Sequence, residues 1–156
     1  MTIARGRNAV KQRGSAHWAM FVDDDVLLDL DCVATLLDEL VRSPALGAVA
    51  ADYGQERQRA DYTGHVAMGA CLFRSNVLQQ IQFRWADNSC ECQCCCDDLR
   101  GGGFEIAYSA RAKATHLGKH LSVDCDARQR FESSSRPGVV LAAFDRRDLQ
   151  KFERQF

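Results

Sequence analysis

The chain has 156 residues, 46% hydrophobic and 26% charged, with a net charge of −1. That is the size and make-up of one globular domain, and 20 basic against 21 acidic residues argue against general nucleic-acid binding. No apolar run approaches the roughly 18–20 residues of a membrane span, and Met1 to Asn8 lacks the apolar core of a secretory signal, so a cytoplasmic location is the expectation. Arg7 to Gly14 is predicted as a short helix closed by Gly14. Trp18 to Val22 is an apolar run of the kind buried on both faces of a parallel sheet, and it stops at Asp23-Asp24-Asp25. Asp31 is placed to cap a helix from about Cys32 to Ser43, where Val33, Leu36, Leu37, Leu40 and Val41 form one apolar face before Pro44. Leu46 to Ala51 is a second buried strand, so a right-handed parallel crossover is expected.

Gln55 to Asp61 is a polar loop, and Tyr62 to Phe73 is strand-like but interrupted by Gly64 and Gly69. Ser75 is expected to cap a short helix carrying Val77, Leu78 and Ile81. Gln82 to Ser89 is a loop. Glu91 to Arg100 is a helix stopped by Gly101-Gly102-Gly103, and Phe104 to Tyr108 and Ala112 to Thr115 are short strands. Residues 133–138 form a linker, and Val139 to Phe156 is expected to be a terminal helix. This divides the chain into a core, 1–132, and a linker with a tail helix, 133–156.

Three aspartates directly after a buried strand carry the chemistry. Packed carboxylates repel unless solvent or a cation relieves them, and ligands of open α/β sheets gather at the carboxyl ends of strands. Asp23 and Asp25 fall on one side if the strand geometry continues. A hard divalent ion such as Mg²⁺ or Mn²⁺, bridging to phosphates, suits them. A solvated acidic turn is the competing reading.

Met20-Phe21-Val22-Asp23-Asp24-Asp25-Val26 resembles the DxD segment of family-2 glycosyltransferases. Ala4-Arg5-Gly6-Arg7-Asn8-Ala9 is similar to the helix start that precedes it. Gly69 to Arg74 resembles the small-residue strand beside the donor sugar, Glu91 to Phe104 the acidic helix, and Phe104 to His116 the closing strand ending in histidine. In that order these segments cover residues 4 to about 120.

The resemblance implies a GT-A (Rossmann-like) α/β fold, with a mixed but mainly parallel sheet flanked by helices. It implies a metal-dependent transferase moving a sugar from a UDP- or GDP-sugar to an acceptor hydroxyl, with inversion. A GT-A-like protein that binds nucleotide or glycan without efficient transfer is the alternative. Asp23 and Asp24 would face the nucleotide, and Asp23, Asp25 and His116 the Mn²⁺ or Mg²⁺. Arg7 and Asn8 would hydrogen-bond the nucleotide, while Gly69 and Ala70 would lie beside the sugar. His120 and Lys119 are secondary candidates, and Arg5 is more simply a solvated terminus. The family's acidic base falls on Glu91, although its neighbour is Cys92 rather than aspartate, which leaves Asp97 of the Asp97-Asp98 pair as its rival. The family's first βαβ unit has no counterpart before Arg7, so the chain is expected to be shortened, with an exposed strand edge that favours a homodimer.

Of eight cysteines, five crowd into Cys90 to Cys96, too tightly for a conventional disulfide framework. On a helix, Cys92, Cys95 and Cys96 share a face and read as small buried hydrophobes. A zinc half-site from Cys92-x-x-Cys95, completed by Cys125 or His120, and redox chemistry are the alternatives.

Overall fold

The computed structural model describes residues 3–12, 16–54, 65–86, 89–117 and 139–144. In chain order these form α1 (Ile3–Lys11), β1 (Trp18–Asp23), β2 (Val26–Leu28), α2 (Cys32–Arg42), β3 (Leu46–Asp52), β4 (Ala70–Arg74), α3 (Ser75–Leu78), α4 (Glu91–Gly101), β5 (Glu105–His116) and β6 (Val139–Phe144). The strands make one six-stranded sheet in the order β2-β5-β3-β4-β1-β6.

The sheet corrects the expected fold class. Only β3 and β5 run parallel; β1–β4, β1–β6, β2–β5 and β3–β4 are all antiparallel. The domain is therefore a small α/β unit with a mixed sheet, not a mainly parallel Rossmann-like one. The apolar runs of β1 and β3 do not distinguish the two, because any strand buried on both faces is continuously hydrophobic. β1 and β3 do point the same way, but β4 lies between them and is antiparallel to both. A second correction concerns the tail: residues 139–144 are an edge strand beside β1, not a helix. Its β-branched and aromatic ends suit an extended backbone.

Alternation along the strands splits the core in two. Ala19, Phe21, Ala48, Ala50, Cys71 and Phe73 join Val77, Leu78, Cys95, Cys96 and Leu99 on one face. Met20, Val49, Ala51, Ala70 and Leu72 join Leu36, Leu40 and Ala112 on the other. Val33, Leu36, Leu37 and Leu40 of α2 cover the second face, as their helical spacing predicts, whereas Val41, expected on the same face, is exposed. Asp31 does stand at the N-cap of α2, but its side chain makes no capping bond. On the first face Phe21, Phe73 and Phe83 meet edge to face, with centroids 5.3–6.4 Å apart.

Helix α1 starts four residues earlier than expected and ends at Lys11. It is bolted to the segment after α3. Asn8 Nδ2 donates to Phe83 O at 2.7 Å, the Phe83 amide donates back to Asn8 Oδ1 at 3.0 Å, Lys11 Nζ donates to Ile81 O, and Gln79 Nε2 donates to Lys11 O. Helix α4 ends where the glycines predict. Gly103 takes φ +80°, and the Phe104 amide returns to Leu99 O at 3.0 Å, a helix-closing turn that glycine adopts without strain.

Candidate functional site

The acidic triplet spans the turn between β1 and β2. Asp23 ends β1, where its amide donates to Gly69 O at 2.9 Å. Asp24 is exposed at the tip. Asp25 leads into β2, whose Val26 pairs with His116 of β5. That pairing brings the His116 ring to Asp25, with Nε2 3.4 Å from Oδ2, and the Leu117 amide donates to Asp25 O at 2.7 Å. Two residues that lie far apart in the sequence, Asp25 and His116, thus meet at one strand end.

Asp23 has three further neighbours. A Cβ at Gly69 would stand 2.7 Å from Asp23 Oδ2 and 2.9 Å from the Tyr53 hydroxyl, so the two groups close over a position only glycine fits. Tyr53 follows β3 and sets its ring edge-on to His116, at 6.2 Å. Burial drives its hydroxyl pKa up, and Asp23 adds to the shift, so it stays a phenol at neutral pH. Arg7 of α1 supplies the third contact, with Nη2 2.9 Å from Asp23 Oδ1.

The other arm of that guanidinium holds Glu91, the first residue of α4, at 2.5 Å. Arg7 and Glu91 are each 3% exposed, against 32% for Asp23, and the guanidinium also lies 5.6 Å over the Phe21 ring. Burial opposes its charge, but Glu91 and Asp23 outweigh that and hold it firmly protonated. For Glu91, burial raises the pKa, Arg7 lowers it, and the net shift is upward. Arg7 Nε has no hydrogen-bond partner among the described residues. Asp23, Asp25 and Glu91 against one Arg7 leave an excess of negative charge, which suits a cation.

Of the expected site residues, the structure gathers Arg7, Asp23, Asp25, Gly69, Glu91 and His116. Ala70 is fully buried in β4 opposite Val22, so it supports the site without lining it. Asn8 spends its amide on the Phe83 backbone and acts as a fastener for α1. Asp97 is 55% exposed and bound to Gln93 and Arg100, on a different side of α4 from Glu91. Asp98 pairs with Arg84. Both are corrections to the idea that an acidic pair in α4 serves the site. Arg5 is exposed. Lys119 and His120 lie outside the described residues.

Sequence reasoning missed Tyr53. Its signal was the one that marked Asp23: a polar-tipped residue just past the end of a buried apolar strand. It also missed that Arg7 ties α1, β1 and α4 together.

The cysteine segment packs as expected of small hydrophobes. Cys94, Cys95 and Cys96 are buried, and Cys92 packs against the first core cluster. Among the described residues no three His, Cys, Asp or Glu side chains form a metal-holding group, and Cys125 and His120 fall outside those residues. No described helix is long and apolar enough to cross a membrane. The sequence matches no protein-family model and no curated protein.

Proposed function

We propose that the chain binds a nucleoside-diphosphate sugar through a divalent cation and transfers the sugar to an acceptor hydroxyl. The observation that carries this is the contact between Asp25 and His116 at 3.4 Å. A carboxylate oxygen and an imidazole nitrogen at that spacing suit two ligands of one ion, with metal–ligand distances of about 2.0–2.2 Å. Two protein ligands are few, which is the usual pattern where substrate phosphates and water complete the shell of Mg²⁺ or Mn²⁺. When bound, such an ion offsets the charge that grows on the departing diphosphate.

The chain's own residues do the rest. Asp23, fixed by Arg7 and by the turn at Gly69 and partly exposed, offers its carboxylate to a ribose hydroxyl. The Tyr53 phenol donates beside it. Arg7 is already desolvated, and a guanidinium fork matches a phosphate as well as a carboxylate. As Arg7 turns toward the diphosphate it releases Glu91, whose upward-shifted carboxyl then takes the acceptor's proton. One observation favours the second reading, binding without transfer: Glu91 is buried and held by Arg7.

Calorimetry with UDP and GDP, with and without Mn²⁺, tests the proposal. Metal-dependent binding should weaken at least about tenfold in Asp25→Asn and in His116→Ala, a loss near 1.4 kcal/mol. Wild-type affinity in both variants, or no metal-dependent binding at all, overturns it. Glu91→Gln should keep binding and lose transfer. A wild-type chain that binds but neither transfers nor hydrolyses a donor supports the second reading.

A further inference from the structure

Helix α4 opens on a thiol. Cys90 is its N-cap residue, and its Sγ accepts from the Gln93 amide at 3.4 Å. His65 Nε2 lies 3.6 Å from the same sulfur. The Cys92 thiol also hydrogen-bonds to Cys90, and this bond, with burial, keeps Cys92 protonated. Three groups therefore converge on one sulfur, at the positive end of a helix dipole, the end where negative charge is stabilised. The surrounding thiols are of another kind. Burial pushes Cys96 up to about 12, and raises Cys71 and Cys95 as well. They are core atoms, and Cys90 closes the same core at the start of α4, with 9% of its surface open.

We propose that Cys90 is a nucleophilic thiolate, paired with His65 as its proton acceptor, and that peroxides oxidise it to the sulfenic acid. The sulfur attacks one peroxide oxygen. A sulfur–oxygen bond forms, the oxygen–oxygen bond breaks, and the leaving hydroxide takes up the proton that His65 received, giving water. Sulfur loses two electrons and the peroxide gains them. Glu91, whose carboxylate holds Arg7, is the next residue, so the modified sulfur adjoins the candidate site. The chemistry at sulfur does not depend on sugar transfer.

The test treats the full chain with about one equivalent of hydrogen peroxide in the presence of dimedone and locates the adduct by peptide mass spectrometry. The tryptic fragment 85–100 holds Cys90, Cys92, Cys94, Cys95 and Cys96, so fragment ions must separate them. The adduct is expected on Cys90, absent in Cys90→Ser, and formed about tenfold more slowly in His65→Gln, the change that one pKa unit in the thiol produces. His65→Gln should keep the wild-type urea midpoint, which separates reactivity from folding. Label shared evenly among the five cysteines, a wild-type rate in His65→Gln, or stoichiometric zinc that is lost in Cys90→Ser would each overturn the proposal.

Discussion

Replacing Arg7 with methionine keeps an unbranched stem over Phe21 but removes the charge between Glu91 and Asp23. The cost follows from burial. Asp23 is 32% exposed, so water solvates it, and its loss amounts to about 0–1 kcal/mol. Glu91 is 3% exposed and loses a partner at 2.5 Å. Leaving a buried charge uncompensated costs about 3–5 kcal/mol, a large share of the roughly 5–15 kcal/mol that holds a domain folded. Adding Glu91→Gln removes the stranded charge, so the double variant should lie only about 1–2 kcal/mol below wild type. Acid should act like the second substitution. Burial already raises Glu91, and losing Arg7, which lowers it, raises it further. A carboxyl raised on folding binds its proton more tightly in the folded state. Its stabilising effect is complete below the unfolded pKa and disappears as pH rises through the folded one. The deficit of Arg7→Met is thus greatest at neutral pH and shrinks on acidification. Urea unfolding at pH 7 and pH 5, followed by fluorescence of Trp18 and Trp85, measures it. A loss under about 1 kcal/mol at pH 7, or equal deficits in the single and double variants, would refute the reasoning.

Gly69→Ala puts a methyl group within 2.7 Å of Asp23 Oδ2 and 2.9 Å of the Tyr53 hydroxyl; it should cost about 1–3 kcal/mol in urea unfolding and weaken nucleotide binding in calorimetry. Asn8→Ala leaves the Phe83 amide and carbonyl without their side-chain partners, for a loss of about 1–3 kcal/mol by the same unfolding assay. Asp97→Asn alters an exposed carboxylate; its stability should stay within about 0.5 kcal/mol of wild type, and its transfer rate should match wild type where that of Glu91→Gln does not.

Local structure was legible where composition is one-sided. The apolar runs gave β1 and β3 within a residue, Gly101 to Gly103 gave the end of α4, and helical spacing gave α2. Strand direction was not legible, because burial on both faces looks the same in parallel and antiparallel neighbours. Residues 105–116 form one long strand where two short ones, Phe104 to Tyr108 and Ala112 to Thr115, were expected. Ser109 Oγ accepts from the Arg111 and Ala112 amides and binds Glu39, carrying the strand across an irregular step. Asp23 and Asp25 were singled out by residue type and position, and His116 by the resemblance to the closing strand of family-2 glycosyltransferases. That Arg7 joins Asp23 to Glu91 was invisible, since no spacing rule relates residues on α1, β1 and α4.

The strand that presents Asp23 takes its two neighbours from very different places. β4 reaches it from residues 70–74, but Val139 to Phe144 must return from much farther along the chain, with Val139 falling opposite Asp23 itself. Contacts this distant in sequence are slow to close. Until β6 arrives, the flank of β1 is an open row of amides and carbonyls that another strand can claim. During synthesis, then, the acidic tip is assembled on a template left unsealed until residues 139–144 have emerged.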